Sequence, residues 1–385
     1  MMAKRISKSL IVNGVTLVPE AEWNAELEAK HQKLVEWIRA QGLEGVLIRR
    51  NENVAWVTGG AVEVRVLTPA ETGVASLLIT ATGKRYYFTT ENEAPRLNAE
   101  EFGTLDFEPV LFPWYADDTF PTAQRLAGVQ LGSDTPGPGL IPVNLYPLRE
   151  ALSETEMARY RWLGEETAAA TVESLHQVEP GLSEYDLEAI TAANLLRRGI
   201  LPSVYLYAVD DRIYKYKHAA ARGRRLKQYA MLNLCSRKWG LAISITRFIH
   251  FGELPAELAV RFKSAAQVNA ALLDATRVGA TSAELFRVAQ AAYAAEGFPG
   301  EEQFHHQGGP TGYGEREWLA TPDGTQTVVN NQAFAWNPSI RGGKAEDTVL
   351  LRDGKIEWLT STPELPVIEA SVNGTVYPAA GVLIK

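Results

Sequence analysis

The sequence contains almost no cysteine, since Cys235 is the only one among its 385 residues. A single thiol excludes an intrachain disulfide and any zinc site built from several cysteines. The sequence also lacks a run of about 18 apolar residues, the length that spans a membrane as a helix. The positive residues at its start are not followed by an apolar stretch of secretory length. These absences together predict a cytoplasmic protein without a membrane segment.

An excess of positive charge is missing as well. The net charge is -8, which gives no general attraction to nucleic acid or to anionic lipid. The run from Lys215 to Arg225 is locally basic, but no nucleic-acid-binding motif accompanies it. Hydrophobic residues make up 46% of the chain and charged residues 22%, as in ordinary globular proteins with room for two domains. We therefore expect no nucleic acid and no membrane among the partners.

The first part of the chain alternates helices with short apolar strands. Asn13-Gly14 lies between SLIV and VTLV and is typical of a two-residue hairpin turn. A helix is predicted from Glu20 to Gln41, with Gly42 as its stop signal. The stretches GVLIRR, NENVAWVTGG, GVASLLITATGKRYYFTT and GVQLGSDT are predicted as strands, and TPGPGLIPVNLYP as a linker. This alternation indicates an α/β domain, which we place at residues 1–147.

The second part, residues 148–385, contains a repeated helix-start signal. A capping box at Ser153-Glu-Thr-Glu156 predicts the beginning of a long helix. The segment Gly181-Leu-Ser-Glu-Tyr-Asp-Leu187 then has a counterpart in Gly279-Ala-Thr-Ser-Ala-Glu-Leu285. Either two helices share common start signals, or this domain consists of two related halves with a site between them. The order helix, strands, helices, strands favours the second interpretation.

Several segments resemble, in the same order, those of the creatinase / aminopeptidase P / prolidase ("pita-bread") family. AQGLEGVLIRRNENVAWVTGG is similar to its N-terminal domain, and LREALSETEMARYRWLGEETAAA and VEPGLSEYDLEA to two of its helices. KHAAARG, LNLCSRKWGLAISITRFIHFG, HHQGGPTGY, WNPSI and GGKAEDTVLL follow in the family's order. The resemblance implies an α/β (α+β) fold, with a creatinase-type α/β domain before a pita-bread domain of pseudo-twofold halves. It also implies an active site on the curved sheet of the second domain, and a homodimer.

The resemblance implies which positions would hold metal. Peptidases of this family bind two divalent ions with two Asp, one His and two Glu, and these positions fall on Asn233, Ser244, His306, Asn337 and Glu346. Three anionic ligands are therefore neutral here. A pair of divalent ions with one carboxylate would leave about three positive charges uncompensated in a partly buried cleft. We expect a divergent member that has lost most metal ligands and that uses no metal and no other cofactor.

Creatinase, a member of the same family, implies a metal-free alternative. It hydrolyses a C–N bond without metal, with a histidine that activates water, and this histidine matches His218. Unperturbed imidazole titrates near pH ~6.5, which suits proton transfer at neutral pH. The correspondence is incomplete, because creatinase has Glu where this chain has Ser244 and Asn337. The predicted catalytic residues are His218, His306 and Glu346.

Polar residues near these positions are expected to bind a small-molecule substrate. Tyr313 stands where the peptidases often carry a second histidine, and a phenol there donates a hydrogen bond but is a poor base. Arginines are included because a guanidinium can bind a carboxylate through two hydrogen bonds. The expected substrate-binding residues are Asn233, Ser244, Tyr313, Asn337, Arg247, Arg316 and Arg341.

Three functions fit these observations. The first is a metal-independent hydrolase that cleaves an amide or amidine C–N bond in a small polar substrate bearing a carboxylate. The second is a catalytically inactive binding protein, and the third an atypical Xaa-Pro aminopeptidase or dipeptidase. For the third, His306 and Glu346 alone are one protein ligand short of a usual catalytic zinc site. A nucleophilic Cys235 or Ser244 would need an adjacent base that the sequence does not place.

Overall fold

The computed structural model describes residues 10–12 and 15–385. It separates into two compact units, one comprising Met1–Arg159 with Trp239–Leu241 and the other Tyr160–Lys238 with Ala242–Lys385. Within the described ranges, no helix combines the length and the apolar character needed to cross a membrane.

The first unit is built on a mixed six-stranded sheet of order β6-β5-β4-β3-β7-β8. The neighbours β3–β4 and β4–β5 are antiparallel, and the outer neighbours are parallel. Its strands are β1 (Leu10–Val12), β2 (Val15–Val18), β3 (Gly45–Arg50), β4 (Thr72–Thr80), β5 (Arg85–Thr90), β6 (Glu108–Phe112), β7 (Leu131–Ser133) and β8 (Ile141–Pro142). Its helices are α1 (Glu20–Ala40), α2 (Asn51–Val57), α3 (Ala94–Arg96), α4 (Thr119–Ala127) and α5 (Tyr146–Arg149), with a π-helical turn at Leu97–Phe102.

Two sequence interpretations in this unit are wrong, and one lies partly outside the described residues. NENVAWVTGG begins with helix α2 rather than a strand, and its residues from Asn53 to Val57 are buried without the alternation of a half-buried strand. The stretch read as a linker contributes β8, which pairs in parallel with β7. Strands β1 and β2 form the expected antiparallel pair, but the Asn13-Gly14 turn is not among the described residues.

A buried ionic network ties α1 to the start of helix α6 (Glu154–Gln177) within this first unit. Lys30 Nζ lies 2.5 Å from Glu26 Oε1 and 2.6 Å from Glu156 Oε1. Arg159 Nη2 lies 2.5 Å from the same Glu26 oxygen. Burial alone would raise the pKa of Glu156, but the charges of Lys30 and Arg159 lower it well below its ordinary value. The network therefore depends on an ionised Glu156.

This network predicts a specific loss of stability in acid. The pKa of Glu156 is lower in the folded chain than its ordinary value of 4.5, so its contribution is present above that pH and is lost as the pH falls toward the folded-state pKa. We expect the acid unfolding midpoint, followed by tryptophan fluorescence, to be reached at a lower pH in the wild type than in its Lys30→Met variant. Equal midpoints would show that the network does not set the acid stability of the chain.

The second unit contains the larger part of α6 and two four-stranded sheets. Their orders are β20-β11-β10-β9 and β12-β13-β16-β17. The strands are β9 (Leu201–Val209), β10 (Tyr229–Lys238), β11 (Leu241–His250), β12 (Gly308–Thr311), β13 (Gln332–Trp336), β14 (Ser339–Ile340), β15 (Gly343–Lys344), β16 (Asp347–Arg352), β17 (Lys355–Trp358), β18 (Val367–Val372), β19 (Thr375–Ala380) and β20 (Val382–Ile384). The helices are α7 (Glu184–Leu196), α8 (Asp211–Lys215), α9 (Ala256–Ala275) and α10 (Ser282–Ala295), with a 3-10 turn at Glu301–Phe304.

The three predicted helix-start signals are confirmed. Ser153, Ser183 and Thr281 each accept a hydrogen bond from the backbone N–H three residues later, and the acid at that position accepts one from the cap backbone. Helix α7 precedes one four-stranded sheet and α10 precedes the other. Each of the two caps also forms an isolated β-bridge, Ser183 with Arg225 and Thr281 with Thr327. The interpretation as two related halves is therefore supported by local geometry as well as by sequence.

The two sheets meet beside β11, and this junction positions the polar residues of interest. Ala242 N donates to Gly312 O at 2.8 Å, and Ser244 N donates to Thr348 Oγ1 at 2.9 Å. Thr348 Oγ1 donates in turn to Ser244 O at 2.8 Å. Residues on β10, β11 and at the beginning of β16 are thereby brought together in the interior of the second unit.

Candidate active site

The centre of the junction is the buried carboxylate of Glu346. Asn233 Nδ2 and Thr246 Oγ1 donate to its Oε2 at 2.8 and 2.5 Å. Lys344 Nζ lies 2.9 Å from the same oxygen, and Arg316 Nη2 lies 2.9 Å from Oε1. Asn233 and Glu346 are thus adjacent, and both carboxylate oxygens of Glu346 are engaged by protein groups.

The charges around Glu346 determine its ionisation. Burial alone would raise its pKa, but the positive charges of Lys344 and Arg316 and the hydrogen bond from Thr246 lower it to about 2. Glu346 is therefore a permanent anion at neutral pH, and it is not available to transfer a proton. Two side-chain cations surround one carboxylate, so this cluster carries a net positive charge without any bound ion.

Arg316 connects Ser244 and Glu346, two positions that the resemblance aligns with metal ligands of the family's peptidases. Its Nη1 donates to Ser244 Oγ at 2.8 Å, while its Nη2 bonds Glu346. Arg316 was predicted to hold a substrate carboxylate, and in the structure it holds the protein's own. Ser244 Oγ also lies 3.1 Å from Cys235 Sγ, and burial raises the pKa of that thiol to about 11. A Cys235 thiolate nucleophile is therefore not favoured at neutral pH.

Arg247 is predicted to bind substrate, but in the structure its guanidinium is bound by the protein itself. Its five N–H groups donate to Thr362 Oγ1 (2.9 Å), Thr246 O (2.8 Å), Glu346 O (3.2 Å), Asp347 Oδ1 (2.6 Å) and Thr360 O (2.7 Å). A guanidinium has five N–H donors in total. We therefore assign Arg247 to the framework that holds β11 against β16, with no donor left for a substrate.

Three histidines form a second cluster beside the first. His218 follows α8, and His305 and His306 lie between the 3-10 turn and β12. The Nε2 atoms of His218 and His305 are 2.8 Å apart and share a hydrogen bond. The ring of His306 stacks on that of His305 with centroids 4.6 Å apart, and its centroid is 5.6 Å from that of His218. His305 is buried, His306 half-buried and His218 exposed.

The surroundings of these rings favour neutral imidazoles. Burial and the charge of Lys344 lower the pKa of His305 far below its ordinary range. Burial and the charge of Arg316 lower the pKa of His306 to about 4. Burial and the charge of Lys344 also lower the pKa of His218. At neutral pH each ring is therefore a neutral imidazole with one N–H and one lone pair. One of the two rings, His218 or His305, uses its lone pair to accept the hydrogen bond between them.

A cavity of about 510 Å³ opens beside His218. It is lined by Tyr214, Lys215, Tyr216, Lys217, His218, Phe304 and Arg341. Lys215 is paired with Asp211, and Lys217 with Glu301 and Ser339. The side chain of Arg341 is 61% exposed, its Nε lies 3.9 Å from Glu301 Oε1, and its guanidinium covers the ring of Phe304 at 5.6 Å. Arg341 is thus the predicted arginine whose guanidinium faces accessible space.

The remaining predicted residues lie apart from this cavity lining. Tyr313 is completely buried, and its backbone carbonyl accepts a hydrogen bond from Arg237 Nη1 at 2.5 Å. Asn337 is buried, its N–H donates to Gln307 O at 3.0 Å, and its Oδ1 has no hydrogen-bond partner among the described residues. Asn337 therefore keeps an acceptor that a ligand N–H could satisfy.

Three site residues were missed by sequence reasoning. Lys344 and Thr246 lie two positions from Glu346 and Ser244, and alternate residues of an extended segment share a face. That spacing is a signal that could have identified both. His305 is adjacent to His306, and the side chains of neighbouring residues in an extended segment point to opposite faces, so no sequence signal places both rings together.

The donor set does not fit the metal pair of the family's peptidases. Asn233 and Thr246 donate N–H and O–H groups toward Glu346, whereas a metal ion needs lone pairs there. Lys344 and Arg316 lie within 2.9 Å of the one carboxylate and would repel an incoming dication.

Comparison with known proteins identifies relatives in fold. A sequence model of metallopeptidase family M24 matches residues 158–353, and one of the creatinase/prolidase N-terminal domain matches residues 30–192. No curated protein sequence matches the chain.

Similar solved structures include the Xaa-Pro dipeptidase from Bacillus anthracis, with TM-score 0.70, 15% identity and coverage of 93% of this chain and 100% of that chain. Prolidase from Pyrococcus furiosus gives TM-score 0.68, 17% identity, and coverage of 86% of this chain and 99% of that chain. The N-terminal domain of the FACT complex subunit SPT16 from chickpea, Cicer arietinum, gives TM-score 0.62, 13% identity, and coverage of 88% and 96%. At these identities the likeness establishes the fold alone, and it confirms the predicted fold class.

Proposed function

The chain belongs to metallopeptidase family M24, and from that premise we propose that it is a metal-independent hydrolase of C–N bonds. The substrate is a small polar molecule that carries a carboxylate and an amide or amidine group. His218 is the base, and the cavity beside it is the substrate site. The observation that carries this proposal is the position of His218, which lines a cationic cavity and is hydrogen-bonded through one ring nitrogen to a buried histidine.

His218 and His305 divide the work of proton transfer in this proposal. When His218 Nε2–H donates to His305 Nε2, the Nδ1 of His218 keeps its lone pair. That nitrogen takes a proton from water, the resulting hydroxide attacks the carbon of the C–N bond, and the imidazolium returns the proton to the departing nitrogen. His306 packs on His305 and fixes the ring orientation. Glu346 stays ionised and positions Lys344 and Arg316, so its role here is electrostatic.

Arg341 is proposed to bind the substrate carboxylate. Arg247 has no free donor and Arg316 is paired with Glu346, whereas the guanidinium of Arg341 is exposed in the cavity. Its guanidinium lies over the ring of Phe304, which holds the planar group in place, and both residues line the cavity. Asn233 and Ser244 are bonded to protein groups, so we propose that they shape the cationic cluster rather than bind substrate.

Replacement of Arg341 by alanine should raise KM more than it lowers kcat. A hydrogen bond to a charged group contributes about 1.5–3 kcal/mol, so we expect KM to rise about 10- to 100-fold. Arg197→Ala is the matched control, because Arg197 is exposed and lies outside the cavity lining. An unchanged KM in Arg341→Ala would remove this residue from the substrate site.

A binding protein without catalysis is the second candidate. One observation in its favour is that both oxygens of Glu346 are engaged by internal ion pairs. Another is that the fold is shared with a subunit of the FACT complex as well as with dipeptidases. An atypical Xaa-Pro peptidase is the third, and it rests on the fold shared with Xaa-Pro dipeptidase.

One assay distinguishes the three candidates. Chelator-treated full-length chain is incubated with creatine, N-carbamoylglycine and Ala-Pro, and products are followed by mass spectrometry. Turnover of an amidine or ureide that persists in chelator supports the proposal. Binding without turnover, measured by calorimetry, supports the second candidate. Cleavage of Ala-Pro that is lost in chelator and restored by Mn²⁺ supports the third and contradicts our proposal.

A further inference from the structure

We propose that His218, His305 and His306 form a binding site for one divalent ion such as zinc. Only His306 of these three stands at a position where the family's peptidases hold metal, so the site is not the family's metal pair. One nitrogen from each ring lies within 4.8 Å of the other two. Zinc bound by imidazole has Zn–N distances of about 2.0–2.1 Å, which places tetrahedral ligand nitrogens about 3.4 Å apart. Side-chain rotations that move each nitrogen by about an ångström therefore bring the three nitrogens to ligand spacing.

The unsatisfied nitrogens of the cluster point to a ligand. The Nδ1 atoms of His305 and His306 are buried and make no hydrogen bond to any described group. His305 as a whole is only 8% exposed. Buried polar atoms in folded proteins are nearly always satisfied, and an unsatisfied one calls for an explanation. A metal ion bound to the cluster would take one lone pair from each ring, in place of the hydrogen bond between His218 and His305, and would fix the ring orientations.

The exposure pattern suits an exchangeable ion rather than a permanent structural one. His218 is exposed and His305 is buried, so an ion could enter from the cavity and reach a drier inner side. Three protein nitrogens leave a fourth position open, as in catalytic zinc sites. The nearby cations Lys344 and Arg316 weaken the affinity, although both are paired with Glu346. We therefore expect weaker binding than at a structural zinc site.

Occupancy would have a regulatory consequence that rests on the proposed function. A lone pair of His218 that is bound to zinc cannot accept a proton from water. Zinc would therefore inhibit the hydrolase instead of activating it. Metal binding itself does not depend on that function, and it can be measured without substrate.

The test uses the tag-free full-length chain after chelator treatment. Zn²⁺ is titrated by calorimetry, and Co²⁺ is titrated while its visible absorption reports tetrahedral nitrogen coordination. We expect one equivalent of each ion in the wild type. His218→Ala and His305→Gln should each weaken binding by more than about 100-fold, because even the hydrogen-bonding partners of metal ligands contribute about 10–100-fold.

His176→Ala is the control, since His176 is exposed and outside the cluster, and it should bind like the wild type. His218 is exposed, so its replacement keeps the test valid if the buried His305 variant does not fold. Undiminished binding in His218→Ala, or no saturable binding in the wild type, would overturn the proposal. Normal turnover with zinc bound would leave the ion site in place and contradict the base role of His218.

Discussion

The His218→Ala variant is expected to lose about 10²- to 10⁴-fold in kcat/KM on whichever amidine or ureide the wild type hydrolyses. This is the range that a positioned general base contributes, and neither cluster contains a second accessible group suited to replace it. His305 and His306 are more deeply buried, and Glu346 is held as an anion by Lys344 and Arg316. Initial rates should be measured in chelator, so that a bound ion does not obscure the effect.

A control variant and a fold measurement accompany the His218→Ala variant. His176→Ala removes an exposed histidine elsewhere in the second unit and should leave the rate unchanged. Because His218 is exposed, circular dichroism of His218→Ala should match the wild type, which separates loss of the base from loss of the fold. Wild-type kcat/KM in His218→Ala would show that another group activates the water.

Replacement of Glu346 by glutamine should destabilise the chain by about 3–5 kcal/mol. Loss of one partner from a buried ion pair leaves an uncompensated charge, and here two cations, Lys344 and Arg316, lose the same carboxylate. The change should appear in urea unfolding followed by tryptophan fluorescence, as a lower midpoint of the transition.

A half-exposed pair in the same unit supplies the control. Glu357 bonds Arg161 at 2.6 Å, but the two side chains are 40% and 34% exposed. Exposed pairs contribute about 0–1 kcal/mol, so Glu357→Gln should have a much smaller effect than Glu346→Gln. Equal effects would mean that the Glu346 cluster is not the stabilising centre that its geometry indicates.

The sequence was informative where a local signal has one physical meaning. Capping boxes at Ser153, Ser183 and Thr281 identified three helix starts, because the side chain that satisfies the first free N–H groups is short-range chemistry. The order of the family-like segments identified the fold. NENVAWV was misread because a short buried apolar run has no periodicity that separates helix from strand.

The site was less predictable, because the partner of a polar side chain depends on tertiary contacts. Arg247, Arg316 and Arg341 were equivalent candidates in the sequence. In the structure Arg247 bonds the framework, Arg316 pairs with Glu346, and Arg341 has an exposed guanidinium. The pairing of Lys344 with Glu346 follows from a two-residue spacing, but Arg316 reaches the same carboxylate from a position 30 residues earlier in the chain.

We propose that the positive charges of Lys344 and Arg316 balance the Glu346 carboxylate in place of the metal pair of the family's peptidases. The most direct test of this proposal is equilibrium dialysis of His218→Ala, which removes one ligand of the histidine cluster, against Mn²⁺ and Zn²⁺ in turn, followed by elemental mass spectrometry. We expect no stoichiometric ion in this variant. Two equivalents bound at submicromolar affinity would show that the dinuclear site persists and that the two side-chain cations do not replace it.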